Sequence, residues 1–313
     1  MPLPLRWRWK LDRLRESFFA IFQSKEKQRR PRLCPACGTL VGTKGTRCHQ
    51  CGASLTFSLA AVSRSLSKIM PSTAPVTYSI LSVCCLIYGI SLLLTMRAGF
   101  PTASQGGLLG RLFGIGSIAS PILIRLGASL PWPIDLVQPW RLVTACFLHA
   151  NLLHIVFNMW VFVDLAPTIE ELYGPSRFFF LYTVCGIGGY LLSGLMGDFS
   201  IGASGAIVGL IGVLLAITYR RRNAGMQQLR AQVYRWIVYL AIWGFVVRGI
   251  DNWAHLGGGI TGFLLAKFMM DRAPATPEER KRAYALGWAT AAVVVLSFGF
   301  MLFAGGNSLF LRR

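Results

Sequence analysis

Apolar runs close to the ~20 residues that a bilayer core demands recur seven times along the chain, at about 76–96, 142–166, 178–197, 202–219, 236–250, 253–270 and 284–304. In lipid only helices and closed barrels satisfy their own backbone, and runs of this length fit helices. The pattern therefore predicts an all-α polytopic membrane protein. Composition agrees, with 54% hydrophobic and only 14% charged residues among 313, against about 25% charged in an ordinary soluble domain. A water-soluble globular enzyme is excluded. A disordered chain is excluded too, because 20 Phe, 9 Trp and 9 Tyr present too much apolar surface to stay solvated. The stretch from Gly106 to Leu130, apolar but broken by glycines, Ser120-Pro121 and Arg125, reads as a long loop partly embedded in the interface.

The 32 Lys and Arg against 12 Asp and Glu give a net charge of +20. Spread between apolar runs, they report topology rather than a nucleic-acid surface, and nucleic acid is not an expected partner. With the N-terminus inside, the inner segments hold 25 basic residues and the outer ones 7, which predicts a cytoplasmic N-terminus and an outer C-terminus. Residues 1–32 are a basic arm, read either as an amphipathic helix on anionic lipid, through Leu3, Leu5, Trp7, Trp9, Leu11, Leu14, Phe18, Phe19 and Phe22, or as a solvated tail. The arm lacks the apolar core and cleavage site of a signal peptide, so no N-terminal processing is expected.

Before the first run, Cys34-Pro-Ala-Cys37 and Cys48-His-Gln-Cys51 form two C-x2-C pairs, each followed by glycine. Two such knuckles can set four thiolates at the corners of a tetrahedron. Thiols on the cytoplasmic side stay reduced, so residues 33–53 are expected to be a small zinc ribbon, with Cys34, Cys37, Cys48 and Cys51 as ligands of a structural zinc. A four-cysteine site has no open position and is not catalytic. The segment 54–75 follows as a linker. Cys84, Cys85, Cys146 and Cys185 lie in apolar runs and read as small buried hydrophobes.

Polar groups at bilayer depth are costly, so each asks for an explanation. Three of the four histidines, His149, His154 and His255, fall in or at the ends of apolar runs, with Asn151, Asn158, Ser204 and Asn252. His154 and Asn158, four apart, share one helix face. Gly202-Ala-Ser204-Gly205 opens the fourth run, and the sixth carries Ala254, Gly258 and Gly262 at four-residue spacing, leaving one side nearly bare. Taken singly, these features also suit polar helix-packing contacts. Topology, however, puts Ser204, His255 and the His154/Asn158 pair in one outer layer. A serine hydroxyl becomes a useful nucleophile only beside a base, and the bare side of the sixth run lets His255 reach Ser204. Asp251 lies a turn further out, so the expectation is a Ser/His dyad without a buried acid. His154, Asn158 and the Ser204 amide can supply N–H donors to a tetrahedral oxyanion.

In this combination, H-x4-H-x3-N over 149–158, G-x-S-G over 202–205 and Ala254-His255 with Gly258 resemble the rhomboid family of intramembrane serine proteases. The likeness runs from about Gln138 to Lys267, and Trp140-Arg141 and Glu170 through Gly174 also resemble family features. It implies a six-helix core over 76–270, a cytoplasmic linker over 271–283, and one added C-terminal helix within 284–313, seven spans in all. It further implies Ser204 as nucleophile, His255 as general base and acid, His154 and Asn158 in the oxyanion hole, and Gly202, Gly205, His149, Trp140, Arg141, Glu170 and Gly258 as motif or structural residues. Val208 stands where some members carry an aromatic ring against the catalytic histidine.

The expected function is hydrolysis of peptide bonds in or near transmembrane segments of other membrane proteins, with no cofactor for catalysis. Expected surroundings are a bacterial inner membrane, the active site toward the outer face, and a cytoplasmic protein partner for the ribbon. The alternative is a catalytically silent relative that binds membrane helices. A membrane metal or haem site on the three histidines leaves Ser204 unexplained.

Overall fold

A computed structural model of the chain describes residues 32–34, 39–42, 46–50, 74–102, 114–221, 223–247 and 249–307. The chain divides into two compact units, residues 1–64 and 65–313.

In the first unit, β1 (Arg32–Leu33) pairs antiparallel with β2 (Leu40–Val41), Arg32 opposite Val41 and Leu33 opposite Leu40. The Cys34 amide donates to the Thr39 carbonyl at 2.7 Å and closes the hairpin. Cys34 and Cys48 are buried. Cys37 and Cys51 lie outside the described residues, as do the basic arm up to residue 31 and nearly all of the expected linker.

The second unit is helical. Its long helices are α1 (Pro75–Arg97), α5 (Leu152–Tyr173), α6 (Pro175–Met196), α7 (Ser204–Arg220), α8 (Ala224–Val246), α9 (Asn252–Phe268) and α10 (Pro277–Asn307). Short helices α2 (Ser120–Arg125), α3 (Ile134–Val137) and α4 (Arg141–Thr144), the last running into a 3-10 turn over Ala145–Phe147, fold the first loop. Among the described residues, four segments are long and apolar enough to cross a membrane: Pro75–Arg97, Leu152–Tyr173, Pro175–Met196 and Pro277–Ala304. Helix α7 is apolar but has 17 residues, as has α9, while α8 carries Gln227, Gln228, Arg230, Gln232 and Arg235 in its first half.

All seven expected runs form helices, with shifted ends. The second run was expected from 142, but the chain turns extended at Leu148 and the long helix starts only at Leu152, capped by Asn151. Residues 142–148, apolar but for Thr144, are buried against the rest of the protein. The fifth helix starts at Ala224 rather than 236, and the last at Pro277 rather than 284. There Thr276 and Glu279 form a reciprocal capping box, the Glu279 amide donating to Thr276 Oγ1 at 3.1 Å and the Thr276 amide to Glu279 Oε2 at 3.3 Å.

Glycine sets the packing of α6, α7 and α9. A β-carbon on Gly189 of α6 would lie 2.7 Å from the Ala254 carbonyl oxygen, and one on Gly257 of α9 would lie 2.6 Å from that of Gly188. On the other side of α9, β-carbons on Gly258 and Gly262 would collide with the backbone carbonyls of Gly205 and Gly209. Helix α9 is thus held backbone to backbone between two neighbours, the close approach that small residues allow in membranes.

Two carboxylates of α5 tie α1 and α8 to it. Ala74 gives α1 no side-chain cap, and Glu170 near the end of α5 replaces it. Its carboxylate accepts the Val76 and Thr77 amides at 2.9 and 2.8 Å and the Thr77 hydroxyl at 2.8 Å. This joins the two helix ends by satisfying donors that would otherwise be orphaned. Asp164 of α5 accepts from Gln232 Nε2 at 2.6 Å and Trp236 Nε1 at 2.7 Å, and so fastens α8 to α5. An aromatic seam of Phe157, Trp160, Trp236 and Trp243 continues that contact.

Candidate active site

The N-terminus of α5 fixes the first group. Asn151 Oδ1 accepts the His154 amide at 2.8 Å, and His154 Nδ1 in turn accepts the Ala150 amide at 3.3 Å. With Nδ1 acting as acceptor, the neutral ring carries its proton on Nε2. His149, itself buried, meets the His154 ring edge to face, centroids 5.2 Å apart, and supports its orientation.

That Nε2 faces Gly202. A β-carbon placed on Gly202 would stand 2.8 Å from His154 Nε2 and 3.6 Å from Asn158 Nδ2. Two N–H donors therefore converge on the bare side of one glycine. Asn158 is buried, and its Nδ2 has no hydrogen-bond partner, a desolvated donor that costs free energy unless something accepts from it. Gly202 adopts φ +125°, a region open to glycine and closed to other residues.

Gly202 is held on both sides. Its amide donates to the Ala145 carbonyl at 2.9 Å, and its own carbonyl accepts the Tyr190 hydroxyl. Tyr190 also lies 3.3 Å from the Ala145 carbonyl, and Tyr182, two turns earlier on α6, donates to the Cys146 carbonyl at 3.1 Å. Sequence reasoning passed over both tyrosines. Their signal was a spacing of eight on one helix face, with two buried hydroxyls that each need a partner.

Two residues past Gly202, Ser204 opens α7. Ala203 offers no side-chain cap, so the Ser204 amide belongs to the unsatisfied first turn at the positive end of the helix dipole. Gly205 abuts Ala254, where a β-carbon would lie 3.4 Å from the Ala254 carbonyl oxygen. Ser204 and His255 consequently stand at one level on adjoining helices, both half-buried. They are not hydrogen-bonded to each other in this structure; such bonds often tighten only when substrate is bound. Asp251 is engaged elsewhere, capping α9 through the Ala254 amide at 2.9 Å and accepting the Ser193 hydroxyl. Val208 Cγ1 lies 3.4 Å from the β-position of Gly259 and fills the turn beyond His255.

The expected residues of the first loop make packing and hydrogen-bond contacts. The Arg141 guanidinium donates to the carbonyls of Ile124 and Ala128 at 2.8 and 2.9 Å and to Gln138 Oε1 at 2.7 Å. Trp140 stacks on Phe300 of α10. In the same loop Asp135 accepts the Ser129 hydroxyl at 2.6 Å and the Leu130 amide at 3.0 Å. Burial pushes its carboxyl above the ordinary range despite these bonds and the nearby Arg141. Among the described residues, no group of three or more His, Cys, Asp and Glu forms a metal cluster.

The sequence over this region is similar to that of known proteins. Residues 137–272 match the rhomboid domain family. The chain is 34% identical over 152 residues to rhomboid protease GluP of Bacillus subtilis, covering 48% of this chain and 30% of that protein. It is 32% identical over 174 residues to the mitochondrial RHOMBOID-like protein 6 of Arabidopsis thaliana, covering 54% and 56%. It is also 36% identical over 153 residues to rhomboid-like protease 1 of Toxoplasma gondii, covering 46% and 52%. The chain thus spans between about a third and a little over half the length of these curated relatives. Residues 137–272 are thus similar to the rhomboid domains of these proteins, and with the long apolar helices this supports an integral membrane protein. The similarity reaches bacterial, plant and Toxoplasma proteins alike, so it carries no compartment.

Proposed function

We propose that this chain is a rhomboid-family intramembrane serine endopeptidase that cleaves transmembrane segments of other proteins near the outer membrane face. One observation carries the reading: His154 Nε2 and the unpartnered Asn158 Nδ2 converge on the bare face of Gly202, next to Ser204 at a helix N-terminus. A buried donor with no acceptor in the protein, beside a second N–H donor, is what a transient oxyanion needs.

The chemistry follows from these atoms. Ser204 Oγ bonds to the scissile carbonyl carbon while its proton passes to His255, and the carbonyl π pair moves onto oxygen. His154, Asn158 and the Ser204 amide hold that charge. Collapse breaks the C–N bond, and His255 returns the proton to the leaving nitrogen. A water molecule then repeats the cycle on the acyl-enzyme. Substrate must unwind first, since a helical backbone guards its own carbonyls. Gly, Ala, Ser or Pro near the outer end of the substrate helix is therefore favoured. All seven long helices span the bilayer in this reading, with the N-terminus inside.

The test is cleavage of a tagged transmembrane substrate in liposomes by wild type and Asn158→Ala. Loss of one oxyanion donor lowers kcat about 10²- to 10³-fold, with little change in KM. Unaltered kcat in the variant removes the oxyanion assignment. A wild type that neither cuts nor reacts with a serine-directed probe leaves only the silent helix-binding alternative.

The first unit is proposed to be a zinc ribbon. Buried Cys34, in the turn of the closed hairpin, and buried Cys48, beyond its second strand, suit thiolate ligation, with Cys37 and Cys51 completing the set. Metal analysis of the purified full chain is expected to give one zinc, lost in Cys34→Ser/Cys48→Ser. A wild type free of zinc after growth in zinc-replete medium removes the ribbon.

A further inference from the structure

The matched domain ends at residue 272, before α10 begins, yet α10 reaches the loop from which Gly202 hangs. We infer that α10 is a positioning element for the oxyanion side of the active site, acting through Phe298 and Phe300; this rests on the protease reading above.

The helix is first seated along α6. A β-carbon on Gly287 would stand 2.8 Å from Ser176 Cβ, so that contact is nearly bare, while Thr290, Ser297 and Met301 are buried further out. The outer end then changes character and presents aromatic rings. Phe298 meets Phe147 edge to face at 5.6 Å, and Phe300 stacks on Trp140 at 6.0 Å with 21° between planes. Met301 Cγ closes on Gly127, 3.2 Å from its β-position.

Trp140 and Phe147 bracket one short segment, α4 with its 3-10 turn. Within it Thr144 Oγ1 donates to the Gly127 carbonyl at 2.6 Å, and the Ala145 carbonyl receives the Gly202 amide at 2.9 Å. Phe147 is buried, and its other side rests on Tyr182. A route of packed groups thus runs from Phe298 through Phe147 and Ala145 to Gly202, the residue His154 and Asn158 face. The segment has no long helix of its own to fix its height, and the α10 rings supply that stop. Displacing a reacting group by about 1 Å costs on the order of 10² in rate, so loosening this stop reads out in catalysis before substrate binding.

The experiment uses the full chain in liposomes and compares wild type with Phe298→Ala, Phe298→Leu, Phe300→Ala and Leu302→Ala, the last on an exposed face of α10. For each, kcat and KM are measured with a transmembrane substrate, together with the affinity of a peptide boronate. The boronate forms a tetrahedral adduct on serine and so reports the oxyanion geometry directly. Phe298→Ala is expected to lose about tenfold in kcat and as much in boronate affinity, with KM unchanged. Phe298→Leu recovers most of both, Phe300→Ala loses about threefold, and Leu302→Ala matches wild type. The inference is overturned if Phe298→Ala and Phe300→Ala keep kcat and boronate affinity within twofold, if the loss lies in KM alone, or if Leu302→Ala shows the same loss. Should Phe298→Ala not fold, Phe298→Leu and Phe300→Ala decide. A wild type that neither cleaves substrate nor binds the boronate fails the protease reading itself, and the inference falls with it.

Discussion

Ser204→Ala and His255→Ala are each expected to reduce cleavage by on the order of 10⁴-fold or more, because a nucleophile and its base act as one unit. The double variant is expected to be little worse than either single one. Both variants should bind an uncleaved substrate helix as wild type does, since Ser204 and His255 are half-buried and neither anchors another helix by a hydrogen bond. Conversion of a tagged transmembrane substrate in liposomes, followed alongside labelling by a serine-directed probe, measures this. Strictly additive losses, or cleavage persisting in Ser204→Ala, would sink the dyad. Asp251→Ala is predicted to behave differently, since the hydrogen bonds of its carboxylate go to the α9 cap and to Ser193. Its cost falls chiefly on stability, about 1 kcal/mol for a lost cap.

Gly262→Val is expected to have the largest effect on folding. A β-carbon there has no room beside the Gly209 carbonyl oxygen, and backbone cannot swing aside as a side chain can. Overpacking usually costs ~1–3 kcal/mol, and here α7 and α9 must separate, so the loss should reach or exceed the upper end of that range. The midpoint of thermal unfolding in detergent should fall sharply, and what folded protein remains should cleave poorly, because the same two helices carry Ser204 and His255. Leu264→Val, on an exposed face of α9, is the control and should stay near wild type. Equal midpoints for both variants would mean that α7 and α9 do not approach as closely as their glycines imply.

Much of this site could be read from residue order alone, for identifiable reasons. The four-residue spacing of His154 and Asn158 needs only helical geometry to put both on one face, and both do face Gly202. The glycines of the fourth and sixth runs announced a close crossing because nothing else about them is useful in lipid. Elsewhere hydropathy misled. Leu142, Val143, Ala145, Cys146, Phe147 and Leu148 are as apolar as a span, yet they are buried against protein, and the long helix waits for the Asn151 cap. In α8 the opposite happened: its polar first half hid a helix that begins at Ala224. The hydroxyls of Tyr182 and Tyr190 were illegible for another reason, since their partners are main-chain carbonyls, and any residue supplies one of those.

The glycine contacts of α9 also shape how this chain can change over generations. Where two backbones touch, no neighbouring substitution can compensate for an added methyl group, because there is no side chain to shrink. Gly257, Gly258 and Gly262 are therefore positions without second chances, open to no alternative residue that a later change could repair. The exposed apolar positions of the same helix, Trp253, Leu256, Ile260 and Leu264, are 40 to 50% exposed and accept any apolar side chain of comparable reach. Mutational drift in this helix is thus expected to run along one stripe only, and a library of α9 variants sorted by survival should return the outline of its buried side without any structure in hand.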